Sequence, residues 1–236
     1  MPQIFEPIVY SIDRDRVTQA RLAQALSAEN IGFRAFECAE SFLDSDLDAG
    51  IEARAACLVL EVDLPAMSGL QLQAVLAERG HRMPIIFLSA TTDVRAPIRA
   101  LQAGAADFLL KPMEPATLRA AVSCALEHSR RIGLEEIRRA QILARIANLT
   151  QREREVMDFV VRGQTSKEIA QALCISPRTV EVHRKNVFAK MHAASVASLV
   201  QQVMQVREER EAGAQTRRGD FDDLRDSTYL TRAGNV

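Results

Sequence analysis

LTQREREVMDFVVRGQTSKEIAQALCISPRTVEVHRKNVFAKM, Leu149–Met191, is the stretch on which the reading of the chain turns. Thr150, with Glu153 three positions on, is a capping box that starts a helix. Val156, Phe159 and Val160 give that helix an apolar stripe, and Gly163 ends it. Thr165 or Ser166 caps a second helix carrying Ile169, Ala170 and Leu173. Cys174–Ser176 is a short turn. Ser176 is then an N-cap and Pro177 sits at the first helical position of a third helix. On this last helix Val180, Val187, Phe188 and Met191 share one face, while Arg178, Glu181, Arg184, Lys185 and Asn186 lie elsewhere.

Helix, tight turn and cationic helix is the helix-turn-helix pattern. A helix with one buried stripe and one cationic, amide-bearing stripe is what the DNA major groove admits and what phosphates attract. Alone, the same helix fits an ordinary amphipathic surface helix, so the surroundings decide. The net charge of −1 over 236 residues hides an asymmetry. Residues 1–125 carry 11 Lys/Arg and 16 Asp/Glu, whereas residues 149–206 carry 8 and 5. An acidic first half and a basic third quarter point to a phosphate-bearing partner at the latter.

The length allows one or two domains, each with a real core. No apolar run is long enough to span a bilayer, and no basic-then-apolar leader opens the chain. The expectation is a cytoplasmic protein without membrane contact. Cys38, Cys57, Cys124 and Cys174 lie far apart without metal-ligand spacing, which predicts buried, reduced thiols and no metal site.

Before residue 126, apolar runs alternate with helical patterns. Strands are expected at Pro7–Ile12, Gly32–Phe36, Ala56–Val62, Pro84–Leu88 and Asp107–Leu110. Helices are expected at Arg14–Glu29 (Val17, Leu22, Ala25 and Leu26 inward), after a cap at Ser41, at Gly69–Arg79, at Val94–Ala103 and at Pro115–Glu127. ACLVLEV (Ala56–Val62) is almost wholly apolar, as a central parallel strand should be. Five strands alternating with five helices imply a parallel sheet covered on both faces. Ligands of such sheets bind at the carboxyl ends of the strands. There the chain places Asp13, Arg14 and Asp15, then Glu61 and Asp63, then Ser89, then Lys111-Pro112.

LVLEVDLPAMSGLQLQ and IIFLSA…AGAADFLLKP resemble the receiver domain of two-component response regulators related to FixJ. The resemblance covers most of residues 5–125 and implies a flavodoxin-like five-stranded parallel sheet. In that family an Asp ending the third strand accepts a phosphoryl group, two acidic residues after the first strand hold Mg²⁺, and a Ser/Thr and a Lys bind the phosphoryl oxygens. Ser89 and Lys111 fit the last two roles, and Phe108 fits the aromatic switch position. Lys111-Pro112 fits a bond that is commonly cis in the family. Two positions depart from the pattern: Glu61 stands at the acceptor position and Arg14 at the second acidic one, leaving Asp13. An Arg there removes an oxygen ligand and adds positive charge, so Mg²⁺ binding is expected to be weak or absent. Glu61 is expected to pair with Lys111 or with Arg14 and hold one conformation, without aspartyl phosphorylation. Asp63 serves as a surrogate acceptor or offers only its backbone.

Leu149–Val206 resembles the LuxR/NarL/FixJ DNA-binding domain, whose final helix, Ala194–Val206 here, forms a dimer contact. The resemblance puts Glu181, Val182 and Lys185 at base edges, with Arg178, Arg184 and Asn186 as neighbours. Lys167, Thr179 and Lys190 fit phosphate contacts. His183 either touches phosphate or is a half-buried histidine hydrogen-bonded within the domain. The final receiver helix runs on without a Pro, and residues 126–148, whose charged stretch is interrupted by Gly133, read as a helical linker that transmits rotation, holds a dimer or packs on the next domain. Residues 207–236 read as a polar, flexible tail. The expected protein is an α/β receiver joined by a helical linker to an all-α helix-turn-helix domain: a homodimeric regulator of double-stranded DNA, with RNA polymerase and a sensor kinase as further partners. Two other readings stand beside it. One is a signalling adaptor working through receiver–receiver contacts. The other is a haloacid-dehalogenase-type phosphatase, since DRDRV (Asp13–Val17) resembles that family's opening motif, although the later acidic pair for Mg²⁺ is missing.

Overall fold

The computed structural model describes residues 6–45, 54–90 and 93–207. It divides into two compact units, residues 1–135 and 136–236. The first holds five strands: β1 (Ile8–Ile12), β2 (Gly32–Phe36), β3 (Ala56–Leu60), β4 (Ile85–Ser89) and β5 (Asp107–Leu110). They form one parallel sheet in the order β2-β1-β3-β4-β5.

Side-chain alternation along the strands divides the apolar residues between two faces. Tyr10, Ile12, Leu58, Leu60 and Phe87 face one way and pack with Phe42, Leu72, Leu76 and Ala100. Those partners come from α2 (Ala39–Leu43), α3 (Gly69–Glu78) and α4 (Arg95–Gln102). Val9, Cys57, Val59, Ile86 and Leu88 face the other way, onto Leu22 and Leu26 of α1 (Arg16–Leu26) and Leu118 and Val122 of α5 (Pro115–Ala147). Parallel register brings the ends of β1, β3, β4 and β5 together, and with them Asp13, Glu61, Ser89 and Lys111.

Several expectations need correction. The first helix starts at Arg16, not Arg14, because Asp15 caps it by accepting from Val17 N; Ser27–Glu29 continues as a 3-10 turn. Val17 is exposed rather than inward. Ser41 does not cap α2: Cys38 occupies the N-cap, and the Ser41 hydroxyl donates back to Cys38 O at 2.9 Å. The helical linker, by contrast, is as expected: α5 carries the last receiver helix on through Gly133 without a break. A helical Gly costs only about 1 kcal/mol relative to Ala, which 33 residues of continuous hydrogen bonding outweigh. The receiver unit also outlasts residue 125, since Ser129 Oγ accepts from Ala56 N at the start of β3. All four cysteines are free, but Cys124 and Cys174 are exposed and only Cys57 is buried, its thiol pushed up to about 12 by burial.

In the second unit, α6 (Gln151–Val161), α7 (Ser166–Leu173), α8 (Pro177–Met191) and α9 (196–207) surround a core of Val156, Val160, Ile169, Val180, Val187 and Leu199. The C-terminal part of α5 adds Ile142 to the same core. Capping boxes close both Thr150/Glu153 and Thr165/Glu168, so Thr165 rather than Ser166 caps α7. Cys174 adopts a left-handed conformation (φ 53°) that ends α7 and turns the chain. Ser176 accepts from Thr179 N at 3.1 Å, with Pro177 at N1, and starts α8. The last helix begins at 196 rather than 194. The expected tail, apart from Arg207, lies outside the described residues.

Candidate functional sites

At the carboxyl ends of the strands a cleft of about 520 Å³ is lined by Asp13, Arg14, Asp15, Glu61, Asp63, Ala90 and Lys111. Glu61 is buried, and its carboxylate is fully engaged. Oε1 accepts from Val62 N at 2.7 Å, from Asp63 N at 3.3 Å and from the Ser89 hydroxyl. Oε2 accepts from Lys111 Nζ at 2.6 Å. Lys111 also donates to Asp13 Oδ2 at 2.5 Å, and Asp13 Oδ1 accepts from Asp15 N at 2.8 Å. Burial alone would lower the Lys111 pKa, but the hydrogen bonds to Asp13 and Glu61 outweigh it and hold the ammonium above its usual range.

Of the two partners expected for Glu61, the structure realises Lys111. Arg14 is exposed and, among the described residues, has no hydrogen-bond or ion-pair partner. Asp15 spends its carboxylate on the cap: the Thr18 hydroxyl at 2.6 Å and Val17 N at 2.9 Å hold its pKa below the usual carboxylate range. Asp63 is exposed and meets Glu61 only through its backbone N–H. Phe108 stacks on Phe87 with centroids 5.9 Å apart, and Lys111-Pro112 is cis.

Gly69 is a site residue that the sequence pattern did not single out. A Cβ there would sit 2.2 Å from Glu61 O, and Gly69 N donates to Val62 O at 2.9 Å. The start of α3 therefore presses on the loop that carries Glu61. A glycine just after the Ser68 cap, where a helix former would serve, was the available signal.

In the second unit Arg178, Thr179, Glu181, Val182, Lys185 and Asn186 of α8 are exposed, as is Lys167 of α7; Arg184 is half-buried. Glu181 accepts from the Ser166 hydroxyl at 2.5 Å, which ties α8 to the start of α7. Thr179 Oγ1 lies 2.8 Å from Ser176 Oγ. His183 is half-buried, but its Nδ1 has no hydrogen-bond partner among the described residues, so the expected bond within the domain is not made there. Lys190 points inward to the buried Glu153 at 2.6 Å and to Asn148 O at 3.4 Å. The Lys190 bond, with support from Thr150, draws the Glu153 pKa down to about 2. Arg154 donates to Leu149 O and Ala147 O, and Arg145 to Met191 O. These cations cap the carbonyls that end α5 and α8.

Residues 9–123 match the family described as "Response regulator receiver domain", and residues 147–203 match "Bacterial regulatory proteins, luxR family". The transcriptional regulatory protein FixJ of Azorhizobium caulinodans is 40% identical over 196 residues, covering 83% of this chain and 91% of that one. The chain belongs to the response regulators with a LuxR-type output domain. TdiR of Thauera aromatica, also a transcriptional regulatory protein, is 40% identical over 196 residues, 83% of this chain and 85% of its own. Among solved structures the response regulator StyR matches with a TM-score of 0.75 at 32% identity, covering 85% of this chain and all of that one. Full-length FixJ from B. japonicum matches at 0.51 and 33% identity over 85% and 97%.

These are regulators of transcription and not enzymes, which removes the phosphatase reading. The LuxR-type domain implies DNA binding. Among the described residues no helix is long and apolar enough to cross a membrane.

The family implies Mg²⁺ beside the acceptor, and the residues present do not fit it. Both oxygens of Asp13 and both of Glu61 already accept hydrogen bonds, and the Lys111 ammonium stands between the two carboxylates. Mg²⁺ requires octahedral oxygen ligands at close range. Among the described residues no three His, Cys, Asp or Glu side chains converge as a metal site.

Proposed function

We propose that this response regulator controls transcription without aspartyl phosphorylation and without Mg²⁺, because the Glu61 carboxylate occupies the place of a phosphoryl group. One observation carries the reading. Ser89, Lys111 and the backbone N–H groups of residues 62 and 63 all donate to the two oxygens of Glu61. Those donors form an anion cradle, and here the protein's own side chain fills it. The extra methylene of Glu over Asp carries the carboxylate to Ser89 and Lys111.

The receiver then presents one standing conformation, with homodimerisation as its output. Val94, the N-cap of α4, lies in line with Ile98 and Leu101 of that helix, Leu110 lies on neighbouring β5, and each is at least half exposed. Val196 and Met204 add an exposed apolar face on α9. In DNA, Glu181, Val182 and Lys185 reach base edges, Arg178, Arg184 and Asn186 flank them, and Lys167 and Thr179 meet phosphates. Lys190 holds Glu153 in place of a phosphate. RNA polymerase is the proposed partner of the DNA-bound dimer, a sensor kinase is not required, and the cytoplasm is the site of action. The α4 face also serves the adaptor reading, which differs in needing no DNA.

The test is incubation of the full chain with acetyl phosphate and Mg²⁺, followed by intact-mass analysis and DNA titration. The expected result is no acyl phosphate and an unchanged affinity. A stable acyl phosphate on any side chain sinks the proposal.

A further inference from the structure

Beside the Glu61 pocket, and sharing Asp15, Ala90 and Lys111 with it, a second cleft of about 790 Å³ lies between α1 and the start of α5. That volume is within the range of small-molecule sites. Ala25, Pro112, Met113 and Pro115 give it apolar walls, and the buried Leu88 and Leu118 line it too. Its charged side chains are three cations, Arg21, Lys111 and Arg119, and one acid, Asp15. The Asp15 carboxylate is spent on the cap of α1, and the Lys111 ammonium on Asp13 and Glu61. Arg119 lies 3.9 Å from Glu29, a loose contact with both side chains well exposed. Arg21 has no hydrogen-bond or ion-pair partner among the described residues. No acidic residue stands in the first turn of α5 to offset these cations. The cleft therefore offers one unclaimed guanidinium from α1 and one loosely held from α5, beside apolar walls.

We propose that this cleft binds a small aliphatic carboxylate, its head group on Arg21 and Arg119 and its apolar body on Met113 and the two prolines. A guanidinium meets a carboxylate through two parallel, charge-assisted hydrogen bonds. Arg21 supplies one uncompensated positive charge, and Glu29 offsets Arg119 in part, so the balance suits a monoanion better than a doubly charged phosphate. The residues that line the cleft include no aromatic side chain, and their Ala, Pro, Met and Leu side chains suit an aliphatic body. The inference does not depend on what Glu61 does, because neither Glu61 nor Asp13 lines this cleft.

The experiment uses the full chain with ¹³C-methyl methionine and octanoate as the probe. Met113 lines this cleft, Met83 lines a separate one, and Met157 is in the output unit. Octanoate is expected to shift Met113 saturably and to leave Met83 and Met157 in place. Octanamide, the same chain with a neutral head, is expected to bind at least about tenfold more weakly, since the charge-assisted bonds are lost. Acetate, the head group without the chain, is expected not to saturate Met113. Arg21→Gln, at an exposed position, is expected to weaken octanoate at least about tenfold while Met83 and Met157 report an intact fold. Arg16→Gln, on the same helix but paired with Glu37 outside the cleft, is expected to bind octanoate normally. An unshifted Met113 overturns the proposal. It fails equally if octanamide binds as well as octanoate, which would make the cleft a plain apolar groove. It fails too if Arg21→Gln binds normally, or if Arg16→Gln loses as much as Arg21→Gln, which would make the effect one of overall charge.

Discussion

Lys111→Met removes the ammonium that lies between Asp13 and Glu61 and leaves two carboxylates facing each other in a largely buried pocket. Lys111 Nζ sits 2.5 Å from one oxygen and 2.6 Å from the other. At an effective dielectric of about 20, unit charges about 4 Å apart interact by about 4 kcal/mol, so the gross attraction lost is about 8 kcal/mol. Desolvation of three charged groups offsets much of it in the native protein. What remains is the cost of uncompensated buried charge, about 3–5 kcal/mol for a broken buried pair. The donors that stay on Glu61, from Ser89 and the backbone, place the expectation at the lower end, about 3 kcal/mol at neutral pH.

The same geometry fixes the pH dependence. In the wild type the Lys111 pKa is raised. Its contribution is therefore fully present below the unfolded value of about 10.4 and is lost only at strongly alkaline pH. Between pH 5 and 8 this group leaves the wild type flat. Denaturant-dependent hydrogen exchange on peptides covering β1 and β3 reads the receiver unit by itself. A loss under about 1 kcal/mol would show that the ion triad is not what sets this pocket.

Glu153 gives the opposite sign. Its folded pKa of about 2 means stability present above the unfolded value near 4.5 and lost as pH falls from about 5 towards 2. The shift corresponds to about 3 kcal/mol at most, discounted to about 1–2 kcal/mol because Lys190 is 39% exposed; acid unfolding of Glu153→Gln against wild type measures it, and identical acid midpoints refute it. Lys190→Ala should lose similar stability and leave the salt slope of DNA binding unchanged. Lys167→Ala should lower that slope by about one while sparing stability. A reversed pattern in salt titrations would exchange the two roles. Gly69→Ala meets Glu61 O at 2.2 Å and should cost about 2 kcal/mol or more through displacement of the Glu61 loop; thermal unfolding checks it, and an unchanged midpoint means that the loop yields freely.

The sheet was legible because its strands are short apolar runs with punctuation at both ends, and none of the five needed more than two residues of adjustment at either end. Ala56–Val62 shows why the ends drift. Glu61 and Val62 continue the apolar alternation, but Glu61 turns its carboxylate onto the backbone N–H groups of 62 and 63, and the ladder ends at Leu60. Helix starts were legible where a cap's partner is local, as at Thr150 and Ser176. They were missed where two candidates compete, as at Cys38 and Ser41. Within the pocket, the meeting of Glu61 with Lys111 could be expected from the resemblance to receiver domains, which puts both beside one phosphoryl site. What no local pattern reveals is which of two cations wins. Lys111 leaves β5 towards Asp13 and Glu61, whereas Arg14 lies beside the cap of α1 with its side chain in solvent.

Lys190 carries the most consequential of the illegible contacts. By position in a cationic helix it is one more phosphate anchor, and nothing nearby in sequence contradicts that. Glu153 lies 37 residues away. Only the folded core brings the end of α8 against the start of α6, where a buried carboxylate needs a partner. Lys190, Arg154 and Arg145 then converge on the carbonyls of residues 147–149 and 191. The consequence lies within the output unit itself. The last turn of α5 and the last turn of α8 share cations and a core, so the end of α5 belongs to the output unit and helps to hold the carbonyls that close α8.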